Sequence, residues 1–509
     1  MPINKFVSAE EAVALINDRD TVGLIGGGCG LVEATCLFSA LEKRFLDTGH
    51  PRDLFLIHAL GIGDGKTRGL NCFAHEGMVR RVIGGHWVWS PRMQELARDE
   101  KIEAYVLPGG VTMQLYREIG AGRPGLFTHV GLGTFVDPRI EGGKLNKRTT
   151  EDLVEVVEID GRELLRYKSF PINAAIIRGS FADAQGNVSL DQEPANLDIY
   201  AVALAAHNSG GKVIVQVRTA VEFGTLPARS VRVPGAIVDA VVVDPSQSMT
   251  YDIAYDPTMS GERFGPAPAA PPQPFTPRQV IARRAAEELV EGAVINYGFG
   301  IPDAVAKLVA ARGDLDLYYQ TLEHGTYGGS LLDGELFGFA RNPTAMIDAP
   351  SQFDFYSGGG LDIAFLGFGE VDAEGHVNAS KLGGLPVGPG GFIDIAQNAK
   401  KMVFCGTFDA KGTGIETGDG NLRITRQGEI RKFVHSVQQI TFSGIEALRS
   451  GQEILYVTER AVFHLTPEGM VLAEVAPGVD IRRDVLERMD FAPRVPADPA
   501  VMPARHFTA

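Results

Sequence analysis

Short apolar runs recur along the chain, among them Leu54–Ile57, Ala174–Ile177, Val213–Val217, Ala364–Leu366 and Met402–Phe404. Runs this short and rich in Val, Ile and Phe read as strands buried on both faces. Apolar positions at helical spacing fill several of the gaps, over Val32 to Leu46 and Asn196 to Ala206. Strands alternating with helices predict an α/β chain whose sheets are mainly parallel and covered by helices. In such sheets ligands settle at the carboxyl ends of strands.

The pattern begins twice. Ser8 precedes Glu11 at capping-box spacing, and Thr276 stands in the same relation to Gln279, with Pro277 at the first helical position. Each start leads to an apolar run and a glycine turn: Thr21–Ile25 into Gly26–Gly28, and Ala293–Tyr297 into Gly298 and Gly300. Ala182–Val188 (ADAQGNV) also resembles Val371–Val377 (VDAEGHV), 189 residues on, and at that offset Gly211–Val215 falls on Lys400–Phe404. An internal duplication follows. Between the halves, Pro266–Pro274 contains five prolines, which excludes a helix interior or a central strand. We expect two related domains, residues 1–262 and 276–509, joined by a stiff linker over 263–275.

Composition narrows the class. Of 509 residues, 44% are hydrophobic and 22% charged, as in an ordinary globular protein. The net charge of −15 opposes unspecific binding to nucleic acid or an anionic membrane. Four cysteines (Cys29, Cys36, Cys72, Cys405) form no Cys-x-x-Cys pair, so neither a disulfide framework nor a zinc site is expected. The opening residues lack the apolar core of a secretory signal, and no stretch of 18 apolar residues exists. These features predict a cytoplasmic protein.

Several motifs fail in their details. Gly65-Lys66-Thr67 ends like a phosphate-binding loop, but Leu60 stands where that loop needs glycine. Gly120–Gly125 has dinucleotide-type glycine spacing, yet it follows the helical Tyr116–Ile119 and contains Pro124. His75-Glu76 begins like a zinc-protease helix, but Val79 replaces the second histidine. His58, closing an apolar run, reads as a histidine packed near a sheet.

One segment carries chemistry. The run from Tyr318 ends on a single carboxylate, Glu323, followed at once by Gly325, Gly328 and Gly329. A carboxylate at a strand end beside missing side chains is open to a substrate. The surrounding motifs resemble family I CoA-transferases of the single-chain acetate/propionate type, related to the 3-oxoacid CoA-transferases. The resemblance spans nearly the whole chain: Asp20–Gly28, Gly131–Pro138, Arg178–Asp183, Asn296–Pro302, Glu323–Gly325, Gly388–Gly391 with Asp394, and Tyr456–Phe463.

It implies two CoA-transferase-like domains, with the catalytic glutamate, Glu323, in the C-terminal one. It also implies that Gly298 and Gly300 lie by the CoA, and that Gly390 or Gly391 offers an N–H to the reacting carbonyl. The reaction it implies is transfer of CoA from a short-chain acyl-CoA to a small carboxylic acid, ping-pong, through a glutamyl-CoA thioester. CoA is then a substrate, with no bound cofactor and no metal, in a homo-oligomer without nucleic-acid or membrane partners. An ionised Glu323, and hence a value not far raised, is required for attack. Two positions depart from the family pattern. Gly109 stands where a Pro-Gln-Gly turn often has glutamine, leaving Gln114 as a candidate substitute, and His324 follows the glutamate where Asn or Ser is common. The alternatives are an acyl-CoA hydrolase using the same glutamate and a noncatalytic ligand-sensing protein of similar fold.

Overall fold

The structure, a computed structural model, describes residues 3–266 and 275–508. Residues 267–274, most of the expected linker over 263–275, lie outside the described residues. The chain forms two compact units. One takes the chain up to Pro266 together with Glu323–Asp354 and Leu385–Asp394; the other takes the chain as far as Leu322, Phe355–Gly384, and everything from Ile395. A cut at the proline segment would leave Glu323 with the C-terminal half, whereas compactness groups it with the N-terminal one.

In the first unit, helix α1 (Ala9–Val13) leads to β1 (Thr21–Leu24), then α2 (Thr35–Thr48), β2 (Leu54–His58), β3 (Val79–Gly84), β4 (Glu103–Tyr105) and α3 (Gly109–Gly120). After these come β5 (Ala174–Asp183), β6 (Val188–Ser189), α4 (Ile199–Asn208), β7 (Lys212–Val221) and β8 (Ala240–Val243). Apart from β6, which pairs antiparallel with β5, these strands lie in the order β4-β3-β2-β1-β5-β7-β8, all parallel. Every residue of β1 and β2 is buried, as a sheet covered on both faces requires. Both predicted helices start about three residues late: α2 at Thr35 and α4 at Ile199. In each case a residue with positive φ, Val32 at 53° and Leu197 at 46°, keeps the preceding turn out of the helix.

The second unit repeats this plan. Helix α5 (Pro277–Ala285) precedes β9 (Val294–Tyr297), α6 (Asp303–Arg312), β10 (Tyr319–Thr321), β11 (Ile363–Gly367), β12 (Glu370–Val371), β13 (Val377–Asn378), β14 (Lys401–Cys405) and β15 (Glu453–Val457). The parallel order β10-β9-β11-β14-β15 matches β2-β1-β5-β7-β8 of the first unit. Antiparallel strands β16 (Ala461–Thr466) and β17 (Gly469–Val475) extend its edge. Registers also agree: Ala174 pairs with Lys212 in one unit and Ile363 with Lys401 in the other.

The repeated seven-residue motif makes the same turn in both. Asp183 Oδ1 accepts the N–H groups of Gln185 and Asn187 at 2.9 and 3.1 Å, and Asp372 Oδ1 accepts those of Glu374 and His376 at 3.2 and 3.0 Å. The two capping boxes are formed as well. Among the described residues no helix is long and apolar enough to cross a membrane.

The unsuccessful motifs have plain structural roles. Asp64 Oδ1 accepts the N–H groups of Lys66, Thr67 and Arg68, so Gly65–Thr67 is a side-chain-capped turn. Gly120 closes α3. His58 is fully buried with Nδ1 on the Leu60 carbonyl at 2.6 Å, and burial pushes its value down to about 4.

Candidate active site

Glu323 opens the first of the two inserted segments of the first unit. That segment folds on itself: Thr326–Tyr327 pairs antiparallel with Ala345–Met346, Ser330–Leu331 pairs with Ala340–Arg341, and helix α7 (Ala349–Phe355) follows. The glycine two residues after the glutamate is demanded by the backbone. Gly325 has φ +93°, a β-carbon there would strike the Ile347 carbonyl, and its own carbonyl accepts the Ile347 N–H at 2.9 Å. His324 points into the same unit, 4% exposed, with Nδ1 on the Gly338 carbonyl at 2.7 Å. A carbonyl only accepts, so Nδ1 carries the proton. Nε2 lies 3.9 Å from Glu323 Oε1.

The second inserted segment, 385–394, closes over the carboxylate. Gly391 donates its N–H to Glu323. A β-carbon on Gly391 would collide with Glu323 Oε2 and come within 2.9 Å of Phe353 Cζ. The carboxylate and the Phe353 ring therefore flank the same bare backbone. Phe353 is fully buried on α7. This apolar, enclosed setting raises Glu323 to about 7, the Gly391 N–H acting in the opposite direction, although the side chain keeps 20% exposure. The sequence-based expectation of a value not far raised does not hold: burial lifts Glu323 far enough that it is mostly ionised only above about neutrality.

The same segment caps helix α3 from outside. The helix begins without a side-chain cap of its own. Its first N–H, from Gly109, goes to the Gly390 carbonyl at 2.7 Å; the next two, from Gly110 and Val111, go to Asp394 Oδ2 and Oδ1 at 3.1 and 3.0 Å. Glycines make room for this junction: a β-carbon on Gly110 would run into the Phe353 ring and lie 2.6 Å from Asp394 Oδ1. Asp394 is 1% exposed. Burial pushes it to about 8, the Gly110 N–H opposes this, and the charge of Glu323 adds to the rise.

Of the two glycines expected to serve the reacting carbonyl, only Gly391 points its N–H at Glu323; that of Gly390 is held by the Gly85 carbonyl at 2.8 Å. Gly298 and Gly300 belong to the second unit, in the turn between β9 and α6. Gly298 donates to the Phe365 carbonyl at 2.7 Å, and a side chain there would press on Leu366. The Gly300 carbonyl accepts from Arg278 Nη2 at 2.6 Å.

At the position without the family's glutamine, Gly109 is too closely packed to act through a side chain. A β-carbon would lie 3.1 Å from the Ala59 carbonyl oxygen and from the Gly390 carbonyl. Gln114 is engaged elsewhere, its amide on Asp354 Oδ1 at 2.8 Å. We expect Gly109→Gln to cost about 1–3 kcal/mol by overpacking and to lower turnover through Gly390. A urea titration together with steady-state kinetics checks this, and an unchanged midpoint with unchanged rate would refute it.

Sequence reasoning missed Phe353 altogether and gave Asp394 no role. Asp394 meets Gly110 across 284 residues of chain, a pairing that no local pattern signals.

Residues 6–244 match the family described as Coenzyme A transferase. The chain is 43% identical over 502 residues to the acetate CoA-transferase YdiF of Escherichia coli O157:H7, covering 98% of this chain and 94% of that protein. It is 45% identical over 503 residues to a caffeate CoA-transferase of Acetobacterium woodii, covering 97% and 95%. The crystal structure of the YdiF apoenzyme superposes with a TM-score of 0.95 at 42% identity, over 99% of this chain and 96% of that one, and that of a YdiF thioester complex with CoA with a TM-score of 0.93. With the two-unit α/β fold, the duplicated topology and this degree of identity along nearly all of its length, the chain belongs to the coenzyme A transferase family.

Proposed function

We propose that Glu323 is the carboxylate through which this CoA-transferase passes CoA from an acyl-CoA to a free acid. The observation that carries the reading is the Glu323–Gly391 pair: a carboxylate at a glycine turn, with one backbone N–H aimed at it and no side chain between. A Glu323 oxygen attacks the thioester carbonyl, the C–S bond breaks, and an acyl-glutamyl anhydride and CoA thiolate result. The thiolate then attacks the glutamyl carbonyl. The anhydride C–O bond breaks, the first acid leaves as its carboxylate, and CoA remains on Glu323 as a thioester. A second carboxylate reverses the steps. Gly391 N–H meets the oxyanion that forms on the glutamyl carbonyl, a donor of a kind worth roughly 3–4 kcal/mol.

The family resemblance supports Gly298 and Gly300 lying by the CoA. The remote parts of CoA supply binding energy that is used at the reacting carbon. The preferred donors are short-chain thioesters such as those of acetate and propionate, and the enzyme works as a cytoplasmic homo-oligomer; the family resemblance supports both. The test is a transfer assay with acetyl-, propionyl- and acetoacetyl-CoA against a panel of small and aromatic acids, caffeate included. New thioester should appear in step with loss of the donor. Release of free CoA without an acceptor would favour hydrolysis instead.

A pH dependence follows from the burial of Glu323. The attacking group must be ionised, and burial raises its value to about 7. The donor kcat/KM should therefore fall as pH drops below about 7, approaching tenfold per unit. A profile flat down to pH of about 5.5 would show that Glu323 is not held in this state.

A further inference from the structure

Each half-reaction changes the charge of a buried site. Attack by Glu323 and departure of the product acid turn a carboxylate into a neutral thioester, and the negative charge leaves with the acid. A second buried carboxyl group, Asp394, is linked to it through one ring: Phe353 abuts the glycine that faces Glu323 and also the glycine that faces Asp394. Asp394 sits on two N–H groups at the start of the twelve-residue helix α3, a seat that favours the ionised form. Glu323 has the N–H of Gly391. The charge of Glu323 acts on Asp394 inside the unit, so one negative charge on the two is favoured over two.

We propose that Asp394 and Glu323 hold one negative charge between them, and that Asp394 releases a proton to solvent as Glu323 becomes the thioester and regains it when CoA leaves. The step balances: acyl-CoA, the Glu323 carboxylate and the Asp394 carboxylic acid give glutamyl-CoA, the free carboxylate, the Asp394 carboxylate and one proton. Asp394 is thus a positioning residue with a second duty, holding Gly390 and Gly391 against α3 and replacing the lost charge. The inference rests on Glu323 being the carrier of CoA.

The other titratable groups around the pair do not serve. His324 is already neutral, burial having lowered it. His86, whose backbone abuts Gly388, is lowered to about 4, again by burial. The Tyr167 phenol is raised far out of range, by burial first and then by Asp394 itself. Arg117, on α3, is paired with Asp354 at the end of α7. Asp394, near 8, and Glu323, near 7, are left to share the proton.

The experiment mixes the protein with acetyl- or propionyl-CoA, without acceptor acid, in weak buffer containing a pH indicator, while the CoA adduct is counted by mass. The wild type should release up to one proton per glutamyl-CoA formed, most clearly between pH about 7 and 8. Asp394→Asn should form the adduct without that release. Glu323→Gln, given the same acyl-CoA, measures the protons that binding alone displaces and keeps the comparison valid if Asp394→Asn does not fold. Wild-type release no greater than that of Glu323→Gln would overturn the proposal, as would full release from a folded Asp394→Asn. Failure of the adduct to form on Glu323 would instead overturn the reading on which the proposal rests. A purely structural role for Asp394 would change rate and melting temperature but not the proton count.

Discussion

Replacing Glu323 by alanine or glutamine is expected to abolish transfer, because no other group takes the place of its carboxylate in the glutamyl-CoA thioester. Glu323→Asp withdraws the nucleophile by one methylene, and a displacement of that size can cost about 100-fold. Incubating the wild type with acyl-CoA alone should leave CoA on the protein, and reduction with borohydride followed by peptide mapping should find the change at Glu323. Initial rates should follow ping-pong kinetics. Full activity in Glu323→Ala, or an adduct on another residue, would end this account.

The same substitution has a signature in stability. The carboxyl is raised from 4.5 to about 7 on folding, so the native state holds the proton more tightly than the unfolded chain. Stability is then full below about 4.5 and is lost as pH rises through about 7. Glu323→Gln lacks that loss. It should melt above the wild type at pH of about 8, with the advantage shrinking toward pH of about 5, as read by calorimetry across the range.

Gly391→Ala should have the next largest effect. The added carbon cannot coexist with Glu323 Oε2 and crowds Phe353, so the nucleophile must move or the N–H must turn away. Misplacement and loss of one oxyanion donor each cost about 100-fold or more, and we expect kcat/KM to fall by about 100- to 1000-fold. Gly390→Ala is the control. Nothing lies within 4 Å of a β-carbon there, and its N–H keeps its bond to Gly85. Only the left-handed backbone, φ +53°, resists the change, at about 1–2 kcal/mol. Equal losses in the two variants would contradict the assignment of the N–H to Gly391.

Much of the fold was legible from local pattern. Runs of apolar residues marked β2, β5, β7, β11 and β14, and the capping boxes at Ser8 and Thr276 marked two helix starts. These features depend on neighbours three or four residues apart, which a linear pattern can carry. The duplication was legible for a similar reason: Asp183 and Asp372 each hold a turn within their own few residues. The Glu323-x-Gly325 turn was visible too, because a residue with positive φ favours glycine.

What the tertiary structure alone decided is the surroundings of that glutamate. Whether Gly390 or Gly391 faces it depends on the Gly85 carbonyl, some 300 residues earlier in the chain, taking up one of the two N–H groups. The value of Glu323 depends on its burial, and Phe353 beside Gly391 is an aromatic residue on a short helix with no mark to set it apart from a core residue. Asp394 acquired its role only when the start of α3 was brought to it, with the bare backbone of Gly110 against its carboxylate. The sequence by itself determined which elements form and that a carboxylate stands at a glycine turn. The closeness of packing determined which N–H is free to act and how strongly the carboxylate is desolvated, because contacts between distant segments leave no period in the chain.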